Sequence, residues 1–279
     1  MALTESEIRV WDDIADWEEK MYQYDPGTLE LFYDKWLEQG FSMLPESVTD
    51  QFFSKFDNWL FHMNAFIQGS QIQHDARESI LAAARIFDSS VNTLNDMKNL
   101  SIDQLIYIAD QQIARHRFYS FTQGSVSGTG ETLLLGSDIP AITLINLRLV
   151  QLIAMTYGNE VNTPYELMLT LKAFHAGTMP KRMQRQMWEE MAADAKLDDT
   201  FFYAGREELT NVTWLEQPIR QILKALAIST FRRRLVKGLP LVSMAIGGAA
   251  NYRLTRNVSE FAHRFYQYRY LSAKKDDAQ

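Results

Sequence analysis

Apolar residues recur at three- and four-residue intervals along almost the whole chain, the spacing that lines one face of an α-helix, and alternation over strand length is nearly absent. The pattern predicts an all-α, multi-helix bundle-like globular fold. Thr4 and Glu7 form a capping box ahead of Ile8, Trp11, Ile14, Ala15 and Met21, which predicts a first amphipathic helix stopped by Asp25-Pro26-Gly27. Leu29, Phe32, Tyr33, Trp36 and Leu37 mark a second helix closed by Gly40. Val48, Phe52, Phe56, Trp59, Leu60, Met63 and Ile67 mark a third, and Ile80, Ala84, Phe87, Val91 and Leu94 continue the period in a fourth.

Ser101 and Gln104 give a second capping box, opening a helix through Leu105, Ile108, Ala109 and Ile113 to His116-Arg117-Phe118-Tyr119. A glycine-rich loop, Gly124 to Gly130, is expected to end it. Asp138 is expected to cap the next helix, with Pro140 tolerated in its first turn and Gly158 closing it after Tyr157. Thr163-Pro164-Tyr165-Glu166 starts another helix with both a capping box and an early proline, and Met179-Pro180 opens a charged one to about Lys196. Residues 198–211 read as a join, followed by a helix from Trp214 into Arg232-Arg233-Arg234. The chain then runs KGLPLVSMAIGGAANYRLTRNVSEFAHRFYQYRYL from Lys237 to Leu271, a small-residue apolar run continued by arginines and aromatics. The expected organisation is an acidic, aromatic-rich lobe over 1–100, a helical region over 101–272 and a frayed tail at 273–279.

With 279 residues, 46% of them hydrophobic, the chain can bury a sizeable core. Its net charge of -7 hides an asymmetry: Met1 to Leu100 holds 7 basic and 18 acidic residues, and Arg220 to Gln279 holds 12 basic and 3 acidic. Either the two ends neutralise each other or the basic end meets an anionic partner. Cysteine is absent, which excludes disulfides and thiol chemistry. The opening MALTESEIRVWDD has no basic region followed by an apolar run, so no secretory signal is expected. The longest apolar stretch, Ile139 to Tyr157, is broken by Asn146 and Arg148 and does not read as a spanning helix. The expectation is a cytoplasmic protein, peripheral at the inner face of the membrane.

Candidate chemistry is sparse. GSVSGTG has no lysine after its glycines and follows a helix, so it is not a phosphate loop, and Gly124-Ser125-Val126-Ser127-Gly128 misses the spacing of a nucleophile elbow by one position. His62, His74, His116, His175 and His263 show no metal-ligand spacing, so no metal or cofactor is expected. Arg148 and Gln151 interrupt an apolar helix and need buried partners. The tetrapeptide HRFY occurs twice, at His116 to Tyr119 and at His263 to Tyr266.

The strongest hint is a basic and aromatic cluster: Arg232, Arg233, Arg234, Lys237, Arg253, Arg256, Arg264 and Arg269, interleaved with Tyr252, Phe261, Phe265, Tyr266, Tyr268 and Tyr270. Cations beside tyrosines and a small-residue run suit an anionic bilayer surface, with Gly247, Gly248 and Asn251 shaping a close contact. Nucleic acid fits less well, because the overall charge is negative and no nucleic-acid-binding motif accompanies the cluster.

With those residues in view, the chain resembles the EcsC family of bacterial proteins. The resemblance spans Ala114 to Leu271, through the glycine-rich loop, Asp138-Ile139-Pro140-Ala141, LRLVQLIAMTYG and the closing segment quoted above. The family takes its name from a protein encoded beside an ATP-binding-cassette transporter linked to secretion, so the resemblance implies a role near such a membrane system. It carries no catalytic residue or cofactor to transfer. The leading expectation is a non-enzymatic protein docking on the membrane or a membrane protein. The alternatives are a lipid or peptide hydrolase, with Asp138, Arg148, Asn251 and a histidine in a pocket between Gly124–Gly130 and Pro240–Asn251, and a scaffold whose opposite charges drive homo-oligomerisation.

Overall fold

The computed structural model of the protein describes residues 3–28, 71–127, 135–195 and 240–276, together with Leu31 and Ile67. Among them are seven α-helices and no strand: α1 (Glu5–Tyr22), α2 (Gln71–Arg85), α3 (Ile102–Ser127), α4 (Leu135–Thr156), α5 (Pro164–Thr178), α6 (Lys181–Asp194) and α7 (Pro240–Asp276). A 3-10 turn at Asn95–Asn99 precedes α3. The expected second and third helices, the join at 198–211, the Trp214 helix and the Leu239 start of the small-residue run lie outside the described residues.

Local sequence explains most helix starts. Thr4 and Glu7 close their box reciprocally, with Thr4 N–H donating to the Glu7 carboxylate at 2.8 Å and Glu7 N–H to Thr4 Oγ1 at 3.3 Å. Ser101 and Gln104 do the same at 2.9 and 3.3 Å. At α5 Thr163 Oγ1 accepts from Glu166 N–H at 3.2 Å and Pro164 fills the first helical position, where no amide donor is needed. The Glu166 carboxylate turns to Arg269 instead of returning to the cap. Gly158 ends α4 at a φ of 80°, and a Cβ there would lie 2.9 Å from the Leu94 carbonyl oxygen. Only glycine meets both demands.

Four expectations need correction. The α1 face that packs inward is Glu7, Val10, Ile14 and Met21, leaving Ile8 half exposed. The fourth periodic stretch is helical only to Arg85; Val91 and Leu94 are buried from irregular backbone and Phe87 is exposed. Gly124 to Ser127 belong to α3, not to a loop, and α7 packs against Gly124 and Ser125. Asp138 does not precede α4: the helix opens at Leu135, placing Asp138 inside it.

One hydrophobic core runs from Val10 through Leu271, so the described part of the first hundred residues shares its interior with the rest. Trp188 lies at its centre, edge-on to Trp17 at 4.9 Å and to Phe261 at 5.7 Å between ring centroids. Its indole N–H donates to Glu18. These edge-on aromatic contacts join α1 and α6 to α7. Helix α7 is 37 residues long and does not fray at 273: Lys274 meets Glu7 at 2.6 Å, and the Lys275 ammonium sits 3.3 Å from the Trp11 ring centroid.

Candidate functional site

Helices α3 and α7 lie antiparallel over most of α3, and the side chains between them are small or polar. Asn251 Nδ2 donates to Gln123 Oε1 at 2.6 Å, the hydroxyls of Ser120 and Thr255 meet at 2.5 Å, and Arg117 donates to Ser259 Oγ at 2.9 and 3.2 Å. At the far end Tyr270 Oη donates to the Leu100 carbonyl at 2.8 Å. On α7 the seam follows Gly248, Asn251, Thr255 and Ser259, a three- and four-residue spacing that keeps one face on α3. The two backbones close tightly at Gly124, where a Cβ would run into the Gly247 carbonyl oxygen, and Gly248 lies beside it against α3 side chains. A Cβ on Gly248 would sit 2.5 Å from Ser125 Oγ and 2.9 Å from the Phe121 ring. The close contact expected of Gly247, Gly248 and Asn251 is therefore made with α3 of the same chain.

The opposite side of this end of α7 faces solvent. Ala245, Ala249, Ala250, Tyr252, Arg253 and Arg256 are exposed. Phe121, whose ring touches Gly248 one turn from Tyr252, carries the surface across to α3, where Phe118 is 63% exposed. Phe121 and Tyr252 are exposed by 41% and 40%. Three aromatic rings and two guanidinium groups thus share an outward face, and Arg253 and Arg256 make no ion pair among the described residues.

The other expected cations separate from this face. Arg269 is buried, with Nη1 2.5 Å from Glu166 Oε1 and its guanidinium 5.4 Å from the Tyr165 ring centroid. Burial lowers its pKa, but Glu166 and the nearby tyrosines outweigh that and hold it above the ordinary value. Its expected role at an external anion is corrected: a carboxylate of the same chain occupies it. Arg264 is half-buried, with Nη1 3.4 Å from Gln267 Oε1. Arg232, Arg233, Arg234 and Lys237 lie outside the described residues.

Of the polar groups expected in a hydrolase pocket, Arg148 of α4 is electrostatically coupled to His116 and Tyr119 of α3, and Asn251 of α7 meets Gln123 one turn further along α3. Asp138 lies in the first residues of α4. Among the described residues no group of three or more His, Asp or Glu is placed to hold a metal, and no helix is long and apolar enough to cross a membrane.

Sequence spacing did not reveal one polar cluster, because its members come from α3, from α7 and from the end of α4. The His263 ring Nε2 lies 2.9 Å from Tyr157 Oη and 3.3 Å from Gln267 Nε2. The amide can only donate, so Nε2 accepts and Nδ1 carries the proton, facing Asp110 Oδ1 at 3.8 Å. Burial, reinforced by Arg264 and Arg117, lowers the His263 pKa to about 3, so the ring is neutral. Tyr157 is buried and burial pushes its hydroxyl further from ionisation. The phenol orients the imidazole and is not presented to a substrate.

This architecture defines an all-helical protein organised on one long antiparallel helix pair, exposed at one end and buried at the other. A model of the EcsC protein family matches residues 8–271, and the chain belongs to that family. The match extends the resemblance back into α1. An uncharacterized protein, YdbA, of Bacillus subtilis (strain 168) is 20% identical over 240 residues, 85% of each chain. No solved structure matches the chain.

Proposed function

We propose that the protein docks peripherally on an anionic bilayer, at the inner face of the cytoplasmic membrane, through the outward face of α3 and α7. The observation that carries this reading is the exposure of Phe118, Phe121 and Tyr252 beside Arg253 and Arg256. Aromatic rings sit favourably at headgroup depth, and each arginine near an anionic surface contributes on the order of 1 kcal/mol. The small residues Ala245, Ala249 and Ala250 leave the rings and guanidinium groups proud of the helix surface. The basic run Arg232-Arg233-Arg234 precedes α7 in sequence.

Vesicle flotation tests the reading. The full chain should float with phosphatidylglycerol-containing vesicles and remain below neutral ones. Replacing Arg253 and Arg256 with glutamine should weaken attachment by roughly tenfold or more. Attachment that ignores both the lipid charge and these substitutions overturns the proposal.

A further inference from the structure

The same outward face carries a second cluster, about 12 Å along α3 from Phe118 at the rise of an α-helix, where charges of both signs sit together without neutralising one another. Asp110 projects from α3 with its side chain 63% exposed. Its nearest basic neighbour is the neutral His263 ring, at a separation too long for a hydrogen bond. Arg117 and Arg264 flank it, close enough for both to oppose the upward push that burial gives the Asp110 carboxyl. Neither guanidinium reaches a carboxylate among the described residues. Arg117 is turned to the Ser259 hydroxyl and Arg264 to the Gln267 amide oxygen. A guanidinium has five N–H donors, so most of the donors on both groups are uncommitted.

The arrangement discriminates among ligands. A simple anion attracted by the two arginines meets the Asp110 carboxylate, and a simple cation attracted by Asp110 meets the arginines. A ligand bearing a phosphate and a primary ammonium on a short linker satisfies both. The ammonium must be primary, because a carboxylate gains most from N–H donors, which a quaternary choline lacks. His263 cannot substitute for the ammonium: Tyr157 and Gln267 hold the ring, and its burial keeps it neutral.

The geometry points to a binding site for the phosphoethanolamine group of a phospholipid, with Arg117 and Arg264 on the phosphate and Asp110 on the ammonium. The lipid source of that group rests on the docking reading above; the recognition chemistry does not.

Flotation is measured at a fixed phosphatidylglycerol fraction while phosphatidylcholine is replaced stepwise by phosphatidylethanolamine. The bound fraction should rise about threefold. Asp110→Asn should abolish the rise and keep the phosphatidylglycerol-dependent attachment, and Arg117→Gln with Arg264→Gln should abolish it as well. Arg253→Gln with Arg256→Gln should weaken attachment and keep the rise. No rise in the unaltered chain, or a rise that survives Asp110→Asn, overturns the site. Should the protein float on no vesicle, the docking reading fails by itself, and calorimetric titration with soluble glycerophosphoethanolamine decides the site. Heat lost in Asp110→Asn and absent with glycerophosphocholine upholds it; no heat at millimolar ligand overturns it.

Discussion

The tetrapeptide His-Arg-Phe-Tyr occurs at 116–119 on α3 and at 263–266 on α7, and its two copies meet opposite fates. Phe118 is 63% exposed while Phe265 is fully buried, edge-on to Trp188; Tyr119 is largely exposed and Tyr266 is fully buried. The histidines and arginines behave alike. The His116 ring is buried and the His263 ring largely so, and both guanidinium groups rest on neutral oxygens. Identical letters secure the helix in both places, but the surrounding helices decide which side points inward. Around α3 the main neighbours are α4 and α7; α7 packs against α3, α5, α4, α1 and α6, and the rings of its carboxy-terminal half are buried or partly buried.

The largest effect should come from what the copies share. Burial holds the His116 pKa at about 4, and the His263 and His175 values at about 3, against an ordinary 6.5. Below pH 6.5 the unfolded chain binds protons that the folded chain refuses, so stability is full above that pH and falls on acidification toward pH 4. The slope is about 1.4 kcal/mol per pH unit for each ring, read as a falling urea midpoint. A midpoint constant from pH 7 to 4.5 would show the rings to be solvated.

Next, Phe265→Ala should cost about 3–5 kcal/mol and Phe118→Ala less than about 0.5 kcal/mol by thermal or urea unfolding. Equal costs would erase the contrast. Arg269→Ala should lose about 3 kcal/mol, since it strands the Glu166 carboxylate in the interior, whereas Arg253→Ala should leave stability unchanged while weakening vesicle attachment. Glycines sharpen the same division. A methyl on Gly177 would lie 2.5 Å from the Val258 Cα, backbone that cannot yield, and should cost about 1–3 kcal/mol. On Gly248 it meets only the side chains of Ser125 and Phe121, which can turn outward, so the cost should be smaller. Among the buried positions the smallest effect is expected of Tyr266→Phe. Its buried hydroxyl has no hydrogen-bond partner among the described residues, so removing it should be neutral or stabilise by up to about 1 kcal/mol.

What could be read in advance was the local chemistry of helix ends. Thr4 with Glu7, Ser101 with Gln104, Thr163 with Pro164, and Gly158 each act within a few residues of themselves, and each does what its spacing predicts. Gly124 misled because glycine usually breaks helices; here it stays helical so that α7 can approach, a reason that lies more than a hundred residues away. Asp138 misled likewise, as α4 starts earlier than its best capping residue. Of the candidate site, the cationic and aromatic character of α7 was legible, but which cations face outward was not. Arg269 and Arg253 look alike in sequence and differ only in whether a folded carboxylate lies opposite. The cluster at Asp110 left no signal, because proximity across antiparallel helices has no fixed spacing.

The ion pair between Glu7 and Lys274, with Trp11 stacked on Tyr268 beside it, sets an order of assembly. Helix α1 docks on residues that lie 267 positions further along the chain, and until they have been synthesised Glu7 and Trp11 lack these partners. Folding of this core must therefore wait until α7 has emerged, and any factor that shields a nascent amphipathic helix would act on α1 during that interval.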